Sequence, residues 1–190
     1  MNSRRHLCSV LAASLFVAQG LHAQTPSPAP AAPAIQAAPA AADDPQLDAD
    51  FQAIVAKLKT GDIASIVDKM YTPFITAVGG VDVVKAQAAQ AQAQMTAAGL
   101  KIESFNVVKP ITPVVTSVHE YRIIPVDSIM DINSKRIEIK SFWLAIRDVG
   151  TKSWQYLDGQ GLSKNPQVKE QFFPDLKDTT FPTVQHQILQ

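Results

Sequence analysis

The hydrophobic period of the chain changes once, at Gly99-Leu100, and this change constrains the fold more than any other feature. Before it, apolar side chains recur three and four residues apart. After it they alternate, or run together, among β-branched and aromatic residues. A block of helices followed by a block of strands specifies an α+β architecture, not alternating βαβ units around a parallel sheet.

Three helices precede the switch. Leu47, Phe51, Ile54, Val55 and Leu58 form one stripe that ends at Gly61, a residue suited to a helix C-terminus. Asp62 caps a second helix whose apolar face is Ile63, Ile66, Val67, Met70, Tyr71 and Phe74, with Pro73 kinking it or ending it early. After Gly79-Gly80, Val84, Ala88, Ala91, Met95 and Ala98 give the third helix its inner side, and Gly99 ends it. About four strands follow: residues 102–108, 114–124, 136–148 and 154–158, with a turn over 131–135 and the last two paired as a hairpin. A short helix is predicted over 165–172, stopped by Pro174; residues 179–190 carry no readable pattern.

The first 46 residues are of another kind. Arg4 and Arg5 precede an apolar run over residues 7–18, too short to span a bilayer, and Leu21-His22-Ala23 offers a small-residue cut after Ala23. This predicts a cleaved signal peptide over 1–23 and a periplasmic or secreted protein with no transmembrane segment in the mature chain. Ser3-Arg4-Arg5 matches a twin-arginine signal only in part, so the general secretory route is favoured. The single cysteine, Cys8, leaves with the leader, which excludes disulfide and thiol chemistry. Residues 24–46, mostly Ala and Pro with Ser, Gln and Asp, cannot bury enough apolar surface to fold and read as a disordered linker. One domain over 47–178 and a tail over 179–190 complete the 190-residue chain.

Lys+Arg and Asp+Glu are each 17, so no basic excess exists to bind a phosphate backbone, and nucleic acid is excluded as a partner. Two histidines lie beyond the leader, His119 and His186; His186 has no Cys, Asp or Glu nearby at ligand spacing, so a metal site would have to be assembled from distant residues, and neither a metal site nor a cofactor is expected.

Met70-Tyr71-Thr72-Pro73-Phe74 with Gly79-Gly80, Phe142-Trp143-Leu144-Ala145-Ile146 leading to Trp154-Gln155-Tyr156-Leu157-Asp158-Gly159, and Phe173-Pro174-Asp175-Leu176 together resemble exported bacterial members of the nuclear-transport-factor-2-like superfamily. The resemblance implies helices packed in a curved antiparallel sheet, a cone with a ligand cavity at its wide end. That superfamily includes ketosteroid isomerases, polyketide cyclases, dehydratases and non-enzymatic adaptors, so fold leaves activity open. The isomerases' carboxylate base and oxyanion hole have no residue-by-residue counterpart here, and no catalytic residue is carried over.

The candidate pocket is Tyr71, His119, Tyr121, Trp154, Tyr156 and Asp158. Strand alternation sets His119 beside Tyr121, and Trp154, Tyr156 and Asp158 on one face, an aromatic wall with an acid at its mouth. Core packing is the commoner use of such aromatics. The reading favoured is non-enzymatic binding of a small apolar or amphipathic ligand, or of a partner protein. One alternative is an isomerase, cyclase or hydrolase using His119, Tyr121 and Asp158, which requires those side chains to converge; another is an envelope structural or assembly subunit. Residues 137–146 are apolar on both faces of their strand, so both faces need a cover. Helices supply one, and the other is expected to be a second subunit, a homodimer through the outer sheet face.

Overall fold

The computed structural model describes residues 44–189; the expected leader, its cut after Ala23 and the linker up to residue 43 lie outside the described residues. Among the described residues, no helix is long and apolar enough to cross a membrane.

Helix α1 spans Pro45–Thr60. The Asp44 carboxylate accepts the main-chain N–H groups of Gln46 and Leu47, each at 3.1 Å, while Pro45 sits in the first turn, where its missing N–H costs nothing. The helix therefore starts two residues before the boundary read at 47. It ends at Gly61, whose φ of 75° lets its N–H turn back to the Leu58 carbonyl at 3.0 Å. The expected second helix is two pieces: a 3₁₀ helix over Ala64–Lys69 and helix α2 over Thr72–Ala77. Pro73 opens the second piece instead of ending the first, and the extended break at Met70-Tyr71 is held by the Tyr71 N–H on the Tyr156 carbonyl at 2.9 Å. Helix α3 covers Val81–Ala97.

Six strands, not four, form one curved, unclosed antiparallel sheet: β1 (Lys101–Val107), β2 (Thr112–Val115), β3 (His119–Ile132), β4 (Lys135–Asp148), β5 (Gln155–Asp158) and β6 (Gln185–Leu189). Two differences account for the count. The strand expected over 114–124 reverses direction, because the Thr116 hydroxyl accepts the N–H of His119 at 3.0 Å and of Val118 at 3.3 Å, closing a turn between β2 and β3. And the tail supplies β6, which pairs Gln185–Leu189 with Lys140–Arg136 of β4.

The 14-residue strands β3 and β4 form the central hairpin, closed by Asn133 and Ser134 at φ 52° and 63° and pinned by the Ser134 N–H on the Asp131 carboxylate at 2.9 Å. β1 and β2 both pair with β3, while β5 and β6 both pair with β4. The helical segment expected over 165–172 is preceded by another: α4 spans Gly159–Lys164, α5 Pro166–Phe172, and a 3₁₀ helix follows over Pro174–Leu176.

The register sorts the side chains onto two faces. Tyr121, Ile123, Phe142, Leu144, Ile146 and Leu157 pack with α2, α3, α4, α5 and both 3₁₀ helices. Ile124, Val126, Trp143, Ala145, Trp154 and Tyr156 pack instead against α1, through Leu47, Phe51, Ile54 and Val55. Each of these four helix side chains is buried, contributing roughly 1.5–3 kcal/mol. At Trp143 and Ala145 the second apolar face of β4 is thus covered by α1 of the same chain; Ile137 and Ile139, on the same face, are buried outside this cluster.

Candidate functional site

The six candidate residues do not meet. Tyr71, His119 and Tyr121 lie on the face opposite α1; Trp154 and Tyr156 lie on the α1 face, as does Asp158, which pairs in register with Trp143. Since His119 and Asp158 stand on opposite sides of the sheet, the acid/base constellation of His119, Tyr121 and Asp158 does not assemble.

On the first face the organising group is Asp175, which motif reasoning passed over. The Tyr121 hydroxyl lies 2.8 and 2.9 Å from its two oxygens, the Thr116 hydroxyl donates to it at 2.8 Å, and Nδ1 of His119 is 3.3 Å away. Nε2 of His119 faces the Asp148 carboxylate at 3.5 Å. Tyr121 is fully buried, and burial, then the hydrogen bond to Asp175 and the charge of that carboxylate, push its phenol far above the ordinary tyrosine range. Tyr71, ring against Phe173 with centroids 5.2 Å apart, is raised for the same reasons: burial first, then the charges of Asp175 and Asp148. The cluster ties the turn before β3 to the 3₁₀ helix after α5. Its donors and acceptors are spent on one another, which is the pattern of a structural clamp. The one advance signal was Asp175 inside Phe173-Pro174-Asp175-Leu176, an acid between two side chains that are fully buried.

On the α1 face, Trp154 donates its indole N–H to Asp44 at 3.2 Å and lies under the Arg147 guanidinium at 4.2 Å. Arg147 also meets Asp44 at 3.0 Å and Glu120 at 2.7 Å. Burial alone pushes the Asp44 carboxyl up, but the Leu47 N–H, the Trp154 indole and Arg147 outweigh it and hold it below the ordinary carboxylate range. Tyr156 packs on Phe51 with ring centroids 5.7 Å apart, and its buried hydroxyl has no hydrogen-bond partner among the described residues. Asp158 caps α4 by accepting the Gln160 N–H at 3.1 Å; burial pushes its carboxyl up to about 6, against the opposing pull of that N–H and of Lys164. The next residue must be glycine, since a Cβ at Gly159 would lie 2.5 Å from the Phe142 ring and carbonyl.

A cleft of about 230 Å³ lies between the first turns of α1 and the β1–β2 loop. Leu47, Phe51, Val107, Ile111 and Ile124 give it apolar walls; Asp48, Gln52 and Lys109 stand at its polar positions. None of the six candidate residues lines it. Lys109 reaches Asp48 at 3.6 Å, both side chains being more than half exposed (58% and 51%), so this pair is worth little. Sequence reading missed the cleft because its walls come from three separate elements, and Leu47 and Phe51 read only as core. No group of three or more His, Cys, Asp or Glu side chains among the described residues is placed to hold a metal ion.

A scan against protein-family models, a search of curated proteins and a search of solved structures found no match to this chain.

Proposed function

We propose that this chain is an exported, non-catalytic binding protein of the nuclear-transport-factor-2-like kind, and that it takes the apolar part of a small amphipathic carboxylate into the cleft between α1 and the β1–β2 loop. The observation that carries the reading is the apolar lining of the cleft, partly exposed at Val107 and Ile111, beside the exposed ammonium of Lys109. Small-molecule sites have this character, an apolar surface with a few polar groups that fix orientation. Size narrows the ligand. Sites for drug-sized molecules run from roughly 300 to 1,000 Å³, so about 230 Å³ suits a short acyl chain or one aromatic ring. The order of helices before strands and the curved antiparallel sheet support the superfamily reading. The opposite-face placement of His119 and Asp158 removes the acid/base arrangement that an enzymatic reading required.

Calorimetric titration with sodium octanoate tests this. Saturable one-to-one binding is expected, abolished by Ile111→Trp, which fills the cleft, and weakened up to about fivefold by Lys109→Gln, the scale of an exposed ion pair. Binding that survives Ile111→Trp, or no heat at millimolar ligand, rejects the reading.

A further inference from the structure

Every edge of this sheet except one carries a device against pairing with another strand. On the β3 side, β1 carries Lys101 and Glu103 with a bulge between Ile102 and Ser104, and β2 carries Pro113. On the β4 side, β5 is four residues long and runs directly into α4. Charge, bulge, proline and short length are the means by which natural sheets keep their edges to themselves. β6, Gln185-His186-Gln187-Ile188-Leu189, has no proline, Lys, Arg, Asp or Glu, pairs among the described residues only with β4, and is exposed over its first four residues. Ile188, 71% exposed, is the most exposed of the large apolar side chains.

We infer that the free edge of β6 is a self-association surface, and that its occupant is β6 of a second copy of this chain, paired antiparallel about a two-fold axis near Gln187. The register on β4 says why a second copy fits. Ile188 stands beside Ile137 and His186 beside Ile139, both isoleucines buried, on the α1 face. Two-fold pairing at Gln187 sets Ile188 against His186 of the second copy. The row then reads Ile137, Ile188, His186, Ile139 across the junction, and the exposed isoleucine gains neighbours on both sides. On the opposite face Gln187 meets its own symmetry mate, an amide pair able to donate and accept in both directions.

Charge also permits the arrangement. Arg136, Glu138 and Lys140 of β4 lie three strand spacings from their counterparts, about 14 Å, beyond the Debye length of about 10 Å at 0.1 M salt. An antiparallel junction of identical strands is isologous and closes at two subunits, so it gives a dimer and not a fibre. A five-residue junction falls at the small end of interface sizes, so the dimer is weak and concentration-dependent.

Sedimentation velocity of the full chain from about 10 to about 500 µM reads this directly. The weight-average mass is expected to climb toward twice the monomer. Ile188→Lys, at an exposed position, places a cation in the apolar row and is expected to raise the dissociation constant at least about tenfold, with near-ultraviolet circular dichroism unchanged. His186→Pro removes an N–H from the outer edge, since Gln187, opposite Glu138, directs its own N–H to β4, and is expected to act alike. A monomer throughout the range overturns the inference, as does a dimer indifferent to Ile188→Lys. The cleft lies on other elements, so octanoate binding is expected to persist in both variants, and the two readings stand or fall separately.

Discussion

The hydroxyl of Tyr121 sits 2.8 and 2.9 Å from the two carboxylate oxygens of Asp175, 54 residues away in sequence. This contact joins the start of the central hairpin to the last turn before the tail. Asp175→Ala leaves the buried phenol with His119 Nδ1, at 3.1 Å, in place of a carboxylate, and the expected cost is about 1–3 kcal/mol in urea unfolding. Tyr121→Phe made in the Asp175→Ala background is expected to cost less than in the parent chain, because the two residues share one interaction; additive costs in the double-mutant cycle would show them to be independent.

Asp44 does three things with one carboxylate: it caps α1, pairs with Arg147 and accepts the Trp154 indole. Asp44→Ala is expected to destabilise by about 1–3 kcal/mol, and Asp44→Asn by less, since an amide oxygen still caps the helix. Its folded carboxyl lies below the ordinary value, so its contribution is present above the unfolded range near 3.8 and is lost as pH falls through the folded value. The stability difference between parent and Asp44→Asn, followed from pH 7 to pH 2, is expected to shrink at the acid end.

Asp158 behaves in the opposite sense. Its carboxyl titrates at about 6 in the fold against 3.8 as a free group, so the folded chain holds the extra proton between those values. Stability from this group is complete below the unfolded value and falls as pH rises through the folded one. Asp158→Asn keeps a capping oxygen and is expected to be indifferent to that window, so the parent loses stability relative to the variant between about pH 4 and pH 6. A constant difference across that interval would contradict the assignment.

Tyr156 gives a prediction of unusual sign for a core residue. Its hydroxyl is buried with no partner among the described residues, so Tyr156→Phe removes a desolvated polar group and leaves the ring packing on Phe51 in place. The variant is expected to equal or exceed the parent, by up to about 1 kcal/mol. Gly159→Ala is expected to cost at least about 1–3 kcal/mol, because its methyl meets Phe142 at 2.5 Å with backbone on one side.

Helices followed by strands were legible from the period switch at Leu100, and α1, α3, β4 and β5 stand within a few residues of where periodicity sets them, whereas β3 runs eight residues past the expected end at 124. The β2–β3 turn was not legible. It holds neither Gly nor Pro, and depends on the Thr116 side chain standing in for a backbone acceptor. β6 was missed because its residues are exposed on both sides and show no hydrophobic alternation; only Phe181, stacked on Phe142 at 5.1 Å, brings the tail back to the sheet. The pairing of His119 with Tyr121 followed from alternation, at 3.1 Å between Nδ1 and the hydroxyl. That pair and Trp154-Tyr156 were expected around one pocket, yet they face apart, because alternation within each strand says nothing about which face of the sheet a strand shares with another. Register across the hairpins decides this, and register is set by turns whose lengths the sequence does not display.

Chemical-shift mapping of the full chain, labelled with ¹⁵N and titrated with sodium octanoate, tests the binding account most directly because it reports where the ligand sits. The account predicts saturable shifts concentrated at Leu47, Asp48, Phe51, Gln52, Val107, Lys109 and Ile111, with the amides of His119, Tyr121 and Asp175 unmoved. Shifts centred on the Tyr121 cluster, or none at millimolar octanoate, would contradict it.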